Sequence, residues 1–560
     1  MNASLNDEKK LQSVLLLLLV FVICLYLPTL FHYAFADDEI YLAYTNRFLR
    51  DSDWTELYQL FLKPANPLEF LPLRDFTYWL DFRLYGDDTG GFHATNLVWY
   101  IASGAASFYL FLEIILLCRP EWAARAVVLS LCGTLIFMVH PAHVEAVAWI
   151  ASRKDLIAGT LGFFSIALFA RSVRLGWPSR EMLAAILLLV LACFGKASAM
   201  TIILFATVLL GSGWEGGQVV SRAKKTAYLL LLWASIAAIF LIHLKVGEST
   251  GIRIENHPGL LAMIERASRI FSTLIGILLF PYPLRFYYDV YQIGDWHWVV
   301  TGSAALLLMG SIWSLLHRRS LWAFGVVFSI SPLLIYLQLM PFTTWSLASE
   351  RFVFVSVAGL SLVLIDFLGG IDKKKKIGAL VVLIFVPSAV TVWSRVGDWE
   401  VGRRMLVREY ELQPDFHNAI RDRIVFTLLP EKRFVEAEAL ARKLPRAFAA
   451  DVFVSLVGAE RAYRRMAEAK STQANEGDEF LRQDFCKAVS NLRSAIRTGY
   501  DHMPNELDVS YCNMLGTVER YFRIHYGDSK RMCVGGAKDD SFGPEVPIKT
   551  NPIVNSLRVN

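Results

Sequence analysis

Residues 11–30 read LQSVLLLLLVFVICLYLPTL, twenty positions without a charge, directly behind the basic pair Lys9 and Lys10. At 1.5 Å of rise per residue such a helix is about 30 Å long, the thickness of a bilayer's hydrocarbon core. The run exceeds an ordinary signal-peptide core and therefore predicts a retained first membrane helix. Ten further apolar runs follow, at roughly 94–118, 126–140, 155–172, 181–195, 198–212, 226–245, 298–316, 321–340, 353–368 and 376–393. Composition agrees: 560 residues, 55% hydrophobic and only 19% charged, with a mean hydropathy of +0.41, are too apolar for a soluble protein of this size. The expectation is an all-α, polytopic helical membrane protein with about 11–13 crossings. A net charge of +5 spread over the whole chain gives no reason to expect nucleic acid.

Basic residues gather in alternate loops: Arg119 and Arg125; Arg171, Arg174 and Arg180; Arg222, Lys224 and Lys225; Arg318 and Arg319; Lys373 to Lys376. The positive-inside rule makes those loops cytoplasmic. Segments 31–93, 140–155, 246–297 and 341–352 then face the other side, provided that 266–282 is re-entrant or interfacial or that the runs above omit one crossing. Within the first, WTELYQLFLK (54–63) has the pattern of a segment lying along the membrane surface. A membrane domain over 1–393 is followed by a charged helical domain over 394–560, irregular from about 527, with a degenerate hint of a 34-residue helical repeat. Among Cys486, Cys512 and Cys533 one disulfide is feasible, the pair being open.

Candidate chemistry concentrates on the outer side. FADDEIYLAYTNRFL (35–49) carries Asp37, Asp38 and Glu39 where the chain leaves the first helix. Adjacent acids at a low-dielectric boundary repel, so one is raised in pKa and suited to accept a proton from an alcohol; the plainer reading is a solvated acidic helix end. VHPAHVEAVAWIASRKDL (139–156) places His140, His143, Glu145, Arg153, Lys154 and Asp155 together, and its cations suit a phosphate. A metal at His140, His143 and Glu145 is disfavoured, because the spacing is not that of a catalytic zinc site. Arg74 in EFLPLRDFTYWL, His93 and Asn96 in GFHATNL, Lys196 in CFGKASAMT, and Glu350 with Arg351 in LASERFVF complete the set. Lys196 carries most weight, since it stands between two apolar runs where a charge is costly without a polar cavity or partner.

In order, FADDEIYLAYTN, LPLRDFTYWLDFRLYG with GFHATNLVWY, VHPAHVEAVAWIASRKDLIAG, FPYPLRFYYD, SERFVFVSVAGLSLV and RVGDWEVGRRMLVREYELQP resemble the GT-C superfamily of polytopic glycosyltransferases. The resemblance, over about 15–418, is to the transmembrane and tetratricopeptide-repeat O-mannosyltransferases and their bacterial relatives. Two departures stand out: the family's Arg-Pro-Leu is Leu71-Pro72-Leu73 here, with the arginine displaced to Arg74, and the C-terminal repeats are short.

The resemblance implies a polyprenyl-phosphate sugar donor and an inverting hexosyl or pentosyl transfer to a hydroxyl of an extracytoplasmic protein such as a pilin. Asp37 or Asp38 would be the general base and Arg153, Lys154, Lys196 and Arg351 the phosphate-binding set. Glu39, Arg74, His93, His140, His143, Glu145 and Glu350 would support them, the C-terminal domain being TPR-like. A divalent cation, Mg2+ or Mn2+, near the base is implied by some relatives only. A lipid or glycan acceptor such as lipopolysaccharide is the alternative. A transporter or flippase ranks lower, because the charges gather at one face and no internal repeat is visible. The single Asn-x-Ser/Thr site, Asn2-Ala3-Ser4, and the absence of a retention signal in NSLRVN incline the reading toward a bacterial inner membrane with the site facing the periplasm.

Overall fold

The structure is a computed structural model and describes residues 2–32, 46–65, 69–211, 220–250, 259–318, 320–339, 346–371, 374–400, 402–444, 447–471 and 478–501. Asp37, Asp38 and Glu39 lie outside the described residues, as do Cys512 and Cys533. Among the described residues there is no strand, and the apolar runs are helical. In lipid, a chain that satisfies its own backbone hydrogen bonds within each segment has the helix as its solution. Among the described residues eight helices are long and apolar enough to cross a membrane: Leu11–Phe31, Thr89–Cys118, Pro120–Met138, Ile150–Arg174, Arg222–Val246, Trp296–His317, Glu350–Gly369 and Val381–Trp399. The fold is thus all-α and polytopic.

Fewer helices qualify as crossings than the sequence suggested, because several runs are short. Ser179–Gly195 has 17 residues, and Ala197–Gly211 and Leu321–Leu337 are shorter apolar helices. The last two are tightened by 3-10 turns at Ala197–Thr201 and Ser331–Leu337, and those turns carry site residues. The helix Leu260–Leu279 is amphipathic and is not among the eight. It buries Ala267, Ile270, Phe271 and Leu274 while Leu260, Leu261 and Ile264 are exposed, the pattern of a helix lying along an interface.

Two compact units emerge, one of Met1–Ser249, Met263–Leu339 and Leu347–Gly402, the other of Thr250–Ala262, Met340–Ser346 and Arg403–Asn560. In the first, α1 (Thr89–Cys118) and α2 (Arg153–Arg174) run alongside each other, and two polar clusters mark their opposite ends. At the C-terminal ends, buried Glu113 of α1 accepts from Arg171 and Arg174 of α2 at 2.8–3.2 Å. Arg119 meets Asp366 at 3.1 Å there, and Arg125 donates to Gly369 O. At the N-terminal ends Arg153 donates to Asn96 Oδ1 at 2.7 Å. The arginines of two sequence-predicted basic loops therefore share one end, while His93, Asn96 and Arg153 share the other. Helices α3 (Leu321–Ile330) and α4 (Phe354–Gly369) meet backbone to backbone: a Cβ on Gly359 would stand 2.6 Å from Gly325 O, so only glycine allows this approach.

The second unit is built on His417–Arg423, Phe434–Ala441, Ala447–Ser471 and Asp478–Asp501. Its core joins Ile420, Leu428, Phe453, Leu456, Phe485 and Val489. Cys486, packed at the edge of that core, is disulfide-bonded.

Candidate functional site

The site is assembled where apolar helices break. Pro141 cannot continue the helix Ala126–Met138, so the chain turns and re-enters as His143–Ala148 before α2 starts at Arg153. Lys196 is extended (φ −157°, ψ 130°) between Gly195, which ends one apolar helix, and the 3-10 turn that opens the next. Ser349 is likewise extended (φ −154°, ψ 148°) ahead of the turn Glu350–Val353. Each break brings a polar side chain to the N-terminal end of α1 and α2 without interrupting a membrane-deep helix.

A cavity is lined by Asp155, Lys196, Ser198, Tyr336, Arg351 and Phe352, among others. Tyr336 and Phe352 stack with centroids 4.1 Å apart and planes 6° from parallel. The Lys196 ammonium lies 5.2 Å and 5.4 Å from those two ring centroids and 2.5 Å from Asp155 Oδ1. Arg351 stands 4.7 Å over Trp149 and 5.0 Å over Phe352, paired with the fully buried Glu145. Glu145 also accepts from Ser349 Oγ at 2.7 Å and from Arg351 N at 2.9 Å. Guanidinium and ammonium groups held on aromatic faces are partly desolvated, which strengthens their attraction for an anion.

Lys154, next along the chain from Arg153, donates to Glu69 at 2.6 Å. The same carboxylate takes Arg74 at 2.5 Å, and Arg74 reaches Asp75 at 2.7 Å. Partial desolvation raises the pKa of the Glu69 carboxyl, but Lys154 and Arg74 more than reverse this and hold it well below the usual carboxylate range. Asp155, the partner of Lys196, follows Lys154 in the chain, so both cation groups attach to the first turn of α2.

Arg153 stands apart from this wall. It is 0% exposed and spends its donors inward, on Asp81 at 2.5 Å, Asn96 Oδ1 at 2.7 Å and Phe92 O at 2.9 Å, with its face over Tyr78 at 4.4 Å. Asn96 in turn donates to Val147 O and Trp149 O. The pair therefore ties the turn at 139–152 to α1. Glu350 also points away from the cavity and pairs with Arg395 at 2.7 Å, both buried. His93 packs on His32 with centroids 6.0 Å apart. His143 sits among Phe137 and Phe354, each at 4.6 Å, with Tyr100 at 6.0 Å. None of His93, His140 and His143 lines the cavity.

Sequence reading missed Glu69, Asp81, Tyr336 and Phe352. Glu69 opens EFLPLR at an apolar boundary, where a charge is as costly without a partner as it is at Lys196, so that signal was present. Asp81 lies in a helix of mixed polarity, and Tyr336 and Phe352 lie within or beside apolar runs, where no local signal separates them from core aromatics. Among the described residues no group of three His, Cys, Asp or Glu side chains is arranged to hold a metal, and the first-loop acids fall outside them.

His140 is a structural histidine whose proton can be assigned. Its Nδ1 accepts from Ala142 N–H at 3.3 Å, which leaves Nε2–H to donate to Leu278 O at 3.1 Å. Burial pushes its pKa down to about 4, only partly opposed by Leu278 O. A histidine depressed in the folded state stabilises the fold fully above its unfolded pKa of about 6.5, and that contribution is lost as pH falls toward about 4. The melting temperature of detergent-solubilised protein is expected to fall as pH drops through this window, with a shallower fall in His140→Gln. Equal slopes in the two proteins would contradict the assignment.

Comparison with known proteins finds no matching family model and no solved structure that matches significantly. Two curated proteins are similar in part. The chain is 27% identical to protein O-mannosyl-transferase F38B6.6 of Caenorhabditis elegans over 22% of its length and 16% of the relative's. It is 23% identical to protein O-mannosyl-transferase TMTC4 of Mus musculus over 50% of its length and 44% of the relative's. The chain thus spans less than half the length of either relative. It is a polytopic, all-α membrane protein with distant similarity to protein O-mannosyl-transferases.

Proposed function

We propose that the chain is a GT-C-type glycosyltransferase that moves a sugar from a polyprenyl-phosphate donor onto a hydroxyl of an extracytoplasmic protein. The observation that carries the reading is the cavity where Lys196 and Arg351 stand beside the stacked Tyr336 and Phe352 at the end of the helices remote from the arginine cluster. The positive-inside rule assigns the arginine end to the cytoplasm and the cavity to the outer face, the periplasm if the membrane is bacterial. The disulfide at Cys486 is compatible with an oxidising compartment for the C-terminal domain.

In this reading the acceptor hydroxyl loses its proton to Asp37 or Asp38 as its oxygen bonds to the sugar C1. The bond from C1 to the phosphate oxygen breaks on the opposite face, the electron pair stays on the phosphate, and the anomeric configuration inverts. Lys196 and Arg351 take up the developing charge, and cations held in place before the reaction need no reorganisation to do so. Arg153 acts from behind by holding the turn that carries Glu145 and Trp149 in position. A divalent cation beside the base, which the resemblance implies for some relatives, would be held by the first-loop acids.

The test supplies membranes containing the protein with radiolabelled dolichyl- or undecaprenyl-phosphate mannose, then with other polyprenyl-phosphate sugars. Label is expected in protein, lost in Asp37→Ala or Asp38→Ala variants that retain their expression. Label in a lipid or glycan product would replace the acceptor, and no transfer from any donor by folded protein would overturn the reading.

A further inference from the structure

The cations of the outer site share a property that bears on phosphate binding: each already has a carboxylate within 2.7 Å. Arg153 has Asp81, Lys196 has Asp155, Arg351 has Glu145, and Arg74 and Lys154 share Glu69, Arg74 taking Asp75 as well. An incoming phosphate oxygen and a resident carboxylate oxygen need the same donors along similar directions. A phosphate oxygen therefore competes with a resident carboxylate for those donors, and it binds most strongly where that carboxylate can leave. A carboxylate can leave only if it gains water in exchange, since a buried and unpaired one is costly.

Side-chain exposure decides which. Asp75, Asp81, Glu145 and Asp155 are exposed by 2%, 1%, 1% and 4%, whereas Glu69 is exposed by 36%. Glu69 alone among these carboxylates has a side chain that is not buried, and it alone bridges two cations. Arg74 would keep Asp75 at 2.7 Å after Glu69 left, so one cation of the bridge remains charge-balanced while Lys154 becomes available. Lys154 precedes Asp155, which lines the cavity and pairs with Lys196, so a cation freed there stands one residue along the chain from the cavity wall.

We infer that Glu69 is a displaceable counter-ion that occupies, in the resting protein, an anion position between Lys154 and Arg74 which the phosphate of the substrate takes over. The inference rests on the phosphate-donor reading and deepens it. Glu69 is a positioning residue here: it keeps two desolvated cations neutralised and in place until a phosphate arrives, and it competes with that phosphate. Its removal should strengthen phosphate binding, whereas removal of a supporting or ligand-binding group would weaken it.

The experiment measures binding of two probes, farnesyl phosphate and inorganic phosphate, to detergent-solubilised wild type, Glu69→Gln and Glu69→Asp by isothermal titration. If Glu69 fills the site nine-tenths of the time, its neutralisation tightens the apparent Kd about tenfold. Glu69→Asp, a methylene too short to bridge both cations, should tighten it less, and it serves if the glutamine variant does not fold. Tightening for both probes assigns the site to phosphate alone; tightening confined to farnesyl phosphate assigns it to a lipid-linked phosphate; either upholds displacement. A wild type that binds, beside Glu69 variants with unchanged or weaker Kd, overturns displacement and leaves the donor reading standing. Failure of wild type and variants alike to bind either probe overturns both.

Discussion

Removal of the Lys196 charge is expected to slow sugar transfer about a hundred- to thousandfold, the usual effect of deleting one preorganised donor aimed at developing negative charge. Lys196 lies over the stacked rings of Tyr336 and Phe352, and there its field is less screened than in water. The simple alanine variant confounds two effects, because Asp155, exposed by 4%, would be left without the Lys196 ammonium now 2.5 Å away. Breaking one side of a buried pair destabilises strongly, while replacing both sides together is often close to neutral. The informative protein is therefore the double variant Lys196→Met with Asp155→Asn. It should express and melt like wild type and remain inactive, with Lys196→Arg restoring part of the rate. Transfer at the wild-type rate by the double variant would show that this cavity is not where the leaving phosphate is stabilised.

Arg153→Ala is expected to act on the fold. Asp81, exposed by 1%, loses the guanidinium now 2.5 Å away, and Asn96 Oδ1 and Phe92 O lose a donor. The expected cost is about 3–5 kcal/mol, a large part of a typical total stability of about 5–15 kcal/mol. Fluorescence-detected size exclusion should show loss of the monodisperse peak. Pairing Arg153→Met with Asp81→Asn should recover much of it, because no buried charge is then left alone. An Arg153→Ala protein that stayed folded and lost only affinity for donor would return Arg153 to the phosphate-binding set in which its place in the sequence had put it.

Arg153 and Lys154 mark the limit of sequence reading. They are adjacent and look equivalent in SRKDL, yet on a helix neighbouring residues point about 100° apart. One guanidinium turns into the protein toward Asp81 and the next ammonium turns toward Glu69. Glu350 and Arg351 separate in the same way, toward Arg395 and Glu145. Lys196 was legible because a charge between two apolar runs demands a partner; Tyr336, a tyrosine in an apolar run, was not. Asp37 and Asp38, the proposed bases, rest on sequence and resemblance.

By itself the sequence determined that this is an all-helical chain crossing a membrane many times, with its acids, histidines and lone lysine at the breaks between apolar runs. The physical reason is local: a segment of about twenty apolar residues is long enough to span the bilayer, and only a helix satisfies its backbone there. Only the tertiary structure decided which charge neutralises which. The partners are 41 residues apart for Lys196 and Asp155, 85 for Lys154 and Glu69, and 206 for Arg351 and Glu145. No local pattern encodes such pairings, because they depend on how the helices pack and on the cost of leaving any one of these charges buried alone.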